Sequence, residues 1–274
     1  MLNVPTLWTI FIINFLALGL IWAYVARSYP KFEAAPFWTG SALFAAAGAT
    51  LAMLRFVVDS LLPLLIGGTV LIFAACLAAM GIKRFYDRPV SWRGTALITG
   101  SSLAGLTFFI FGYDSMAMRI SIYSLGSMLP LALTLNLLLW QQDGRKNPGA
   151  RLAGVVTILM IAIYAIRAIG NVLQLGGDFS VVHSNALQSV LMLGLVFLSM
   201  SWNFGFLLMA IDRLRNEVAD LALLDDLTGV GNRRHLVQRL AEECARSERS
   251  GEPFALLAID LDGFKAINDT KGHA

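Results

Sequence analysis

Charge is scarce in this chain. Only 14% of its 274 residues are Asp, Glu, Lys or Arg, 57% are hydrophobic, and the mean hydropathy is +0.68. Soluble globular proteins carry nearer a quarter charged residues, so this composition excludes an ordinary water-exposed fold for most of the chain. A net charge of +3 is too small to point to a nucleic-acid partner. The two cysteines lie in unlike settings, Cys76 in an apolar run and Cys244 among charged residues, so no disulfide framework is implied. Histidine is nearly absent from the apolar part: only His183 falls there, in a loop, which argues against paired haem ligands. The last apolar segment contains no lysine, which excludes a retinal Schiff base. No basic stretch precedes the first apolar segment and no small-residue cleavage site follows it, so it is not a removable signal peptide.

Long hydrophobic runs are what the chain does have. Seven stretches reach the roughly 20 residues needed to cross a bilayer: 6–26, 37–57, 60–82, 95–113, 119–140, 151–173 and 186–211. Trp8, Trp22, Trp38, Trp140 and Trp202 lie near the ends of these stretches, where interfacial anchors are expected. The loops after the first, third, fifth and seventh stretches hold Arg27, Lys31, Lys83, Arg84, Arg88, Arg93, Arg145, Lys146, Arg151, Arg213 and Arg215. The opposite side has only Arg55, Arg119 and Arg167, so the positive-inside rule predicts an outer N-terminus and a cytoplasmic C-terminus. Every outer loop is short. The longest, 174–185, contains Gly-Gly-Asp-Phe and reads as a turn.

Arg55, Arg119 and Arg167 are costly within a bilayer and mark a candidate pocket for a small, anionic ligand. The competing reading is structural: Arg55 pairing with Asp59 and Arg119 with Asp114. Pro63 and Pro130 bound or interrupt two spans, but no repeat links two halves as a transporter would show.

Beyond residue 211 the composition changes. Leu214, Val218, Leu221 and Asp225 form a short heptad seam with charged neighbours, predicting that the seventh helix continues as a stalk able to pair with a second copy. Asn232 is a natural N-cap for a helix running to about Ser250, with Leu236, Leu240 and Cys244 as its apolar stripe. Ser250-Gly251-Glu252-Pro253 reads as a turn into a strand at 254–259, which delivers Asp260 and Asp262 at its carboxyl end. Gly263 then opens a short amphipathic helix. Carboxylates so placed suit Mg²⁺, which takes one or two of them beside substrate phosphates.

Two motifs in this region resemble one family. Asp260-Leu-Asp-Gly-Phe-Lys-x-x-Asn-Asp-x-x-Gly-His273 is similar to the metal and guanine-binding segment of the GGDEF family, the diguanylate cyclases. Asp225-Asp-Leu-Thr-Gly-Val-Gly-Asn-Arg-Arg234 is similar to the entry motif of the same family. The resemblance covers 221–274. It implies an α/β, nucleotide-cyclase-like domain that condenses two GTP into cyclic di-GMP, working as a homodimer with Mg²⁺ or Mn²⁺. It further implies that Asp260 ligates metal through its carboxylate and Leu261 through its carbonyl. Lys265 would neutralise phosphate charge, Asn268 would hydrogen-bond the guanine edge, and Asp269 would stand beside it in the substrate site.

The expected fold is therefore an all-α polytopic membrane domain over 1–211, a stalk over 212–224, and the N-terminal part of a GGDEF domain over 225–274. The setting is the lipid bilayer of a bacterial inner membrane, with the C-terminus cytoplasmic. The sequence stops at Ala274, ahead of the Gly-Gly-Asp/Glu-Glu-Phe hairpin that the resemblance calls for. With it would go a second metal carboxylate, further guanine contacts and any Arg-x-x-Asp inhibition site. These 274 residues alone are accordingly expected to be inactive, with strand 254–259 an unpaired edge. Two other functions compete with the cyclase: a non-catalytic GTP-binding regulator, and a seven-helix receptor or transporter with a vestigial tail.

Overall fold

The computed structural model describes residues 4–58, 60–140, 147–173, 186–221, 223–260 and 262. Eight α-helices are formed by them: α1 (Val4–Ser28), α2 (Ala35–Leu54), α3 (Leu62–Phe85), α4 (Trp92–Thr107), α5 (Met116–Leu139), α6 (Pro148–Val172), α7 (Ala186–Leu221) and α8 (Arg233–Ser250). Helix α4 ends in a π-helical turn, Phe108–Gly112. The chain divides into two compact units, Met1–Arg213 and Leu214–Ala274.

Seven of the helices are long and apolar enough to cross a membrane. Their ends follow local rules. Pro36 and Pro63 occupy the first turns of α2 and α3, where the missing N–H would have had no partner anyway. Ser91 and Ser115 cap α4 and α5 by accepting from the amides of Gly94 and Met118. Pro130 is accommodated within α5. The outward faces are strongly apolar: Leu20 and Leu97 are each 73% exposed and Phe197 is 66% exposed. Such a surface suits acyl chains and not water.

Inside the bundle the residues are small and close. Ala42, Ala45, Ala46, Gly48, Ala49 and Ala52 of α2 are all buried, as are Gly67, Gly68, Ala74 and Ala78 of α3. A Cβ added at Gly67 would stand 2.6 Å from both the Ala52 nitrogen and the Gly48 oxygen. The two backbones are therefore nearly touching, as small-residue crossings in membranes allow. The Ser41 hydroxyl donates to the Ala74 carbonyl at 2.8 Å and ties the same pair. Helix α3 also packs on α4 and α5, α1 on α2, and α5 on α6.

An aromatic block fills one end of the bundle. Trp38 stacks on Phe206 at 4.5 Å and 8°, and Trp22 and Trp202 close on the same pair at 4.7 and 4.5 Å. The indole N–H of Trp202 donates to Thr157 at 2.8 Å and that of Trp22 to Asn203 at 3.4 Å. Trp22, Trp38 and Trp202 are thus buried core residues, in contrast to the interfacial role their positions predicted. Ring stacking holds all three inside, and Trp22 and Trp202 also find hydrogen-bond partners within the bundle. Trp140 does stay outside, 68% exposed.

Helix α7 is fastened at the same end. Arg213 donates to the Phe85 carbonyl at 2.9 Å and lies over the Phe85 ring, while Asp212 accepts from the Gly149 amide at 3.0 Å. The helix continues to Leu221, so the seam keeps Leu214, Val218 and Leu221. Asp225 leaves it, because the helix has ended and its carboxylate serves a turn.

Replacing Gly67 with leucine is expected to force α2 and α3 apart. Overpacking of this kind costs about 1–3 kcal/mol or more. The thermal midpoint of the detergent-solubilised protein should fall, while Gly100→Leu, at a site with nothing within 4 Å, should leave it unchanged. Equal midpoints for the two variants would contradict the close crossing.

Candidate functional site

The first half of the candidate site folds around one carboxylate. Asp225 accepts from the Leu227 amide at 3.2 Å, the Thr228 amide at 2.9 Å and the Thr228 hydroxyl at 2.8 Å. Its own backbone exchanges bonds across the turn: its N–H donates to Val230 at 2.7 Å and its carbonyl accepts from Gly229 at 2.8 Å. A single antiparallel bridge pairs Leu224 with Gly231. Gly229 closes the turn at φ +67°, a left-handed conformation that glycine adopts without a Cβ penalty. Bonds from the Thr228 hydroxyl and amide hold the Asp225 carboxyl below the ordinary carboxylate range.

Asn232 follows as the N-cap expected of it, accepting from the amides of Arg234 and His235 at 3.0 and 3.1 Å. The His235 ring lies against Gly231, so a side chain there would have to turn the ring aside. Helix α8 then runs to Ser250, and Gly251, at φ +71°, ends it in a left-handed cap.

The second half is described in part. Asp260 and Asp262 are both exposed, and 251–260 carries no strand hydrogen bonding. The expected strand at 254–259 is therefore not formed among the described residues. A strand exists only against a partner, and Leu257 and Ile259, 81% and 79% exposed, have none there. The expected apolar stripe of α8 is likewise uncovered, with Leu236 and Cys244 exposed and Leu240 half-buried. Leu261, Lys265, Asn268 and Asp269 lie outside the described residues. Among the described residues no group of three or more His, Cys, Asp or Glu side chains gathers to hold a metal. The donors that Asp260 and Asp262 offer are hard carboxylate oxygens, and Mg²⁺ takes one or two such groups and completes its shell with water and phosphate. The donor chemistry fits.

Among the described residues the three membrane arginines have different surroundings. Arg119 is buried and ion-paired with Asp114, with a further bond from its Nε to the Ser115 carbonyl. Arg55 caps the end of α2 beside the Phe56 ring, and Asp59, its proposed partner, lies outside the described residues. Arg167 lines a cavity of the bundle together with Tyr123, Ser127 and Tyr164. These tyrosines and Ser127 carry no motif. The spacings of four between 123 and 127 and of three between 164 and 167 are the sequence signal that puts each pair on one helical stripe.

Comparison with known proteins supports the identity of the C-terminal unit. Residues 222–274 match the family described as "Diguanylate cyclase, GGDEF domain". The bifunctional diguanylate cyclase/cyclic di-GMP phosphodiesterase MucR of Pseudomonas aeruginosa is 30% identical over 217 residues, covering 77% of this chain and 26% of the relative. That alignment is too long to lie within 222–274 and includes part of the bundle. The response regulator PleD of Caulobacter vibrioides is 45% identical over 65 residues, 23% of this chain and 14% of the relative. The diguanylate cyclase DgcS of Shewanella oneidensis is 42% identical over 57 residues, 21% of this chain and 19% of the relative. The chain thus spans about a quarter or less of the length of these relatives. No solved structure matches.

Two substitutions test the turn. Asn232→Ala should destabilise α8 by about 1 kcal/mol, the usual value of an N-cap. Asp225→Ala should speed hydrogen exchange at the Leu227 and Thr228 amides. Because the Asp225 carboxyl is lowered in the folded state, its contribution is complete above the ordinary carboxylate range and is lost as pH falls through the lowered value. Amide protection at Thr228 that changes across the neutral range, or that survives Asp225→Ala, would refute this account.

Proposed function

We propose that this chain is the membrane-anchored part of a diguanylate cyclase, with residues 222–274 contributing to a site that joins two GTP molecules into cyclic di-GMP. The observation that carries the reading is a single chain in which a membrane-crossing helix, α7, runs on toward a GGDEF segment holding both the Asp225–Arg234 and Asp260–His273 motifs. The bundle serves as membrane sensor or anchor, 212–224 as a stalk, and 225–274 as the start of the catalytic domain.

In this reading Asp260, through its carboxylate, and Leu261, through its carbonyl, hold Mg²⁺. The metal when bound supplies charge neutralisation at the phosphates. Lys265 adds a second positive charge there. Asn268 reads the guanine edge, since an amide left unpaired in a buried site penalises the wrong base, and Asp269 supports it. Each 3′-hydroxyl attacks the α-phosphate of the other GTP and pyrophosphate leaves, so two sites must face each other and the protein acts as a homodimer. The exposed apolar residues Leu214 and Val218 on the stalk offer a seam for that pairing. GTP is cytoplasmic, and the excess of basic residues in the loops on the C-terminal side supports that side as the cytoplasmic one.

Membranes from cells expressing the complete reading frame, given GTP and Mg²⁺, should make cyclic di-GMP, and Asp260→Ala should lower its production at least 100-fold without loss of membrane insertion. No product even under forced dimerisation would sink the cyclase reading and favour a GTP-binding regulator.

Orientation is checked separately. A fluorescent protein fused after Leu221 should be protected from external protease in intact spheroplasts, whereas a tag before Val4 should be cleaved. The reverse pattern would overturn the proposed topology.

A further inference from the structure

Between α3, α4 and α5 a groove runs inward from the end of the bundle at which α3 stops and α4 starts. Its wall is made by Cys76, Ala79, Met80, Ile98, Pro130 and Leu133. Leu133 on its rim is exposed, while Cys76, Ala79 and Met80 behind it are buried, so the groove opens to the outside of the bundle. Thr95 also lines it, but its hydroxyl is used within the wall, donating to the Met80 sulfur at 3.7 Å. Lys83, Ser91 and Gly94 stand at the other end. Along α3 the distance from Cys76 to Lys83 is about 10 Å at the usual helical rise.

We infer that this groove binds an anionic glycerophospholipid, with one acyl chain along the apolar wall and the phosphate at Lys83. Three features select that occupant. First, the groove has the order of a lipid, apolar toward the middle of the helices and cationic at their ends. The neighbouring Trp92 is exposed, as a residue at headgroup level is expected to be. Second, the charge is one-sided. Lys83 lines the groove without a carboxylate, and no ion pair joins it to another described residue, whereas Arg84 beside it pairs with Glu33. Residues 83–93 hold Lys83, Arg84, Arg88 and Arg93 against Asp87 alone, which favours a net negative headgroup over a zwitterionic one. Third, Ser91 accepts from the Gly94 amide at 3.1 Å and keeps its O–H to donate to a phosphate oxygen.

The polar end of the groove adjoins the fastening of α7. Phe85, two residues past Lys83, accepts from Arg213 at 2.9 Å and has that guanidinium over its ring. A headgroup at Lys83 therefore lies beside the contact that holds the helix running on to Leu221. The inference needs the bundle to stand in a bilayer and needs no catalysis, so its failure and that of the cyclase reading are distinguishable.

The full chain in dodecyl maltoside would be titrated with dioleoyl phosphatidylglycerol, dioleoyl phosphatidylcholine and glycerol 3-phosphate, with bound lipid followed by native mass spectrometry. Saturable binding of phosphatidylglycerol is expected, with phosphatidylcholine about 5-fold weaker or more, the worth of one cation near an anionic headgroup. Glycerol 3-phosphate, a headgroup without chains, should not compete. Lys83→Gln should weaken phosphatidylglycerol by a similar factor, while Lys31→Gln, in the loop between α1 and α2, should not. Phosphatidylglycerol carrying a diazirine midway along one chain should crosslink within 76–83, 94–98 or 130–133, and the unlabelled lipid should suppress those adducts. The lipid series and the crosslinks on the unaltered protein decide the matter if Lys83→Gln fails to fold. Phosphatidylcholine binding as well as phosphatidylglycerol, competition by glycerol 3-phosphate, equal losses in the two lysine variants, or suppressible adducts only at other segments would each overturn the proposal.

Discussion

The approach of α2 and α3 at Gly48 and Gly67 is the contact on which the bundle depends. In a bilayer there is no hydrophobic gain from hiding one leucine behind another, so helices associate through close packing and interhelical hydrogen bonds. Small residues make the first possible, and Ser41 to the Ala74 carbonyl supplies the second. Once α2 lies against α3, the opposite faces of α3 are free to receive α4 and α5. Larger side chains then fill the remaining volume at one end, where Trp38, Phe206, Trp22 and Trp202 interlock. The same block and the bond from Arg213 to Phe85 anchor α7 before it continues past the bundle.

The cavity is a consequence of the same construction. Alanine and serine on α2 and α3 keep the backbones close but reach little toward the bundle axis, and Tyr123, Tyr164 and Arg167 stand across the gap. A protein interior rarely leaves such a space among apolar groups alone. Here one wall is polar, carrying the Tyr123, Tyr164 and Ser127 hydroxyls and the Arg167 guanidinium.

The C-terminal unit obeys a different solvent. In water, ordering a short connection costs conformational entropy, so side chains that bond to their own backbone decide its shape. Asp225 gathers two amides and a hydroxyl, Asn232 caps the next helix, and Gly229 and Gly251 take the left-handed conformations. All of this is local. The apolar side chains of α8 and of 254–259 are directed at surfaces that no described residue provides, which is why helix and turn are formed while the strand is not.

By itself the sequence determined the features that arise within a few residues of each other. The seven membrane stretches, the continuation of the last beyond residue 211, the cap at Asn232, the end of α8 at Ser250 and the two family motifs are set by length, period, capping chemistry and residue spacing. Only the tertiary structure decided what faced what. It drew Trp22, Trp38 and Trp202 inward and put Arg167 at a cavity with two tyrosines that no motif marks. The physical reason lies in the bilayer: a membrane helix is apolar on every side, so its sequence pattern does not distinguish the face that meets lipid from the face that meets another helix. That choice is made when close backbones, stacked rings and a few hydrogen bonds find partners far away in the chain.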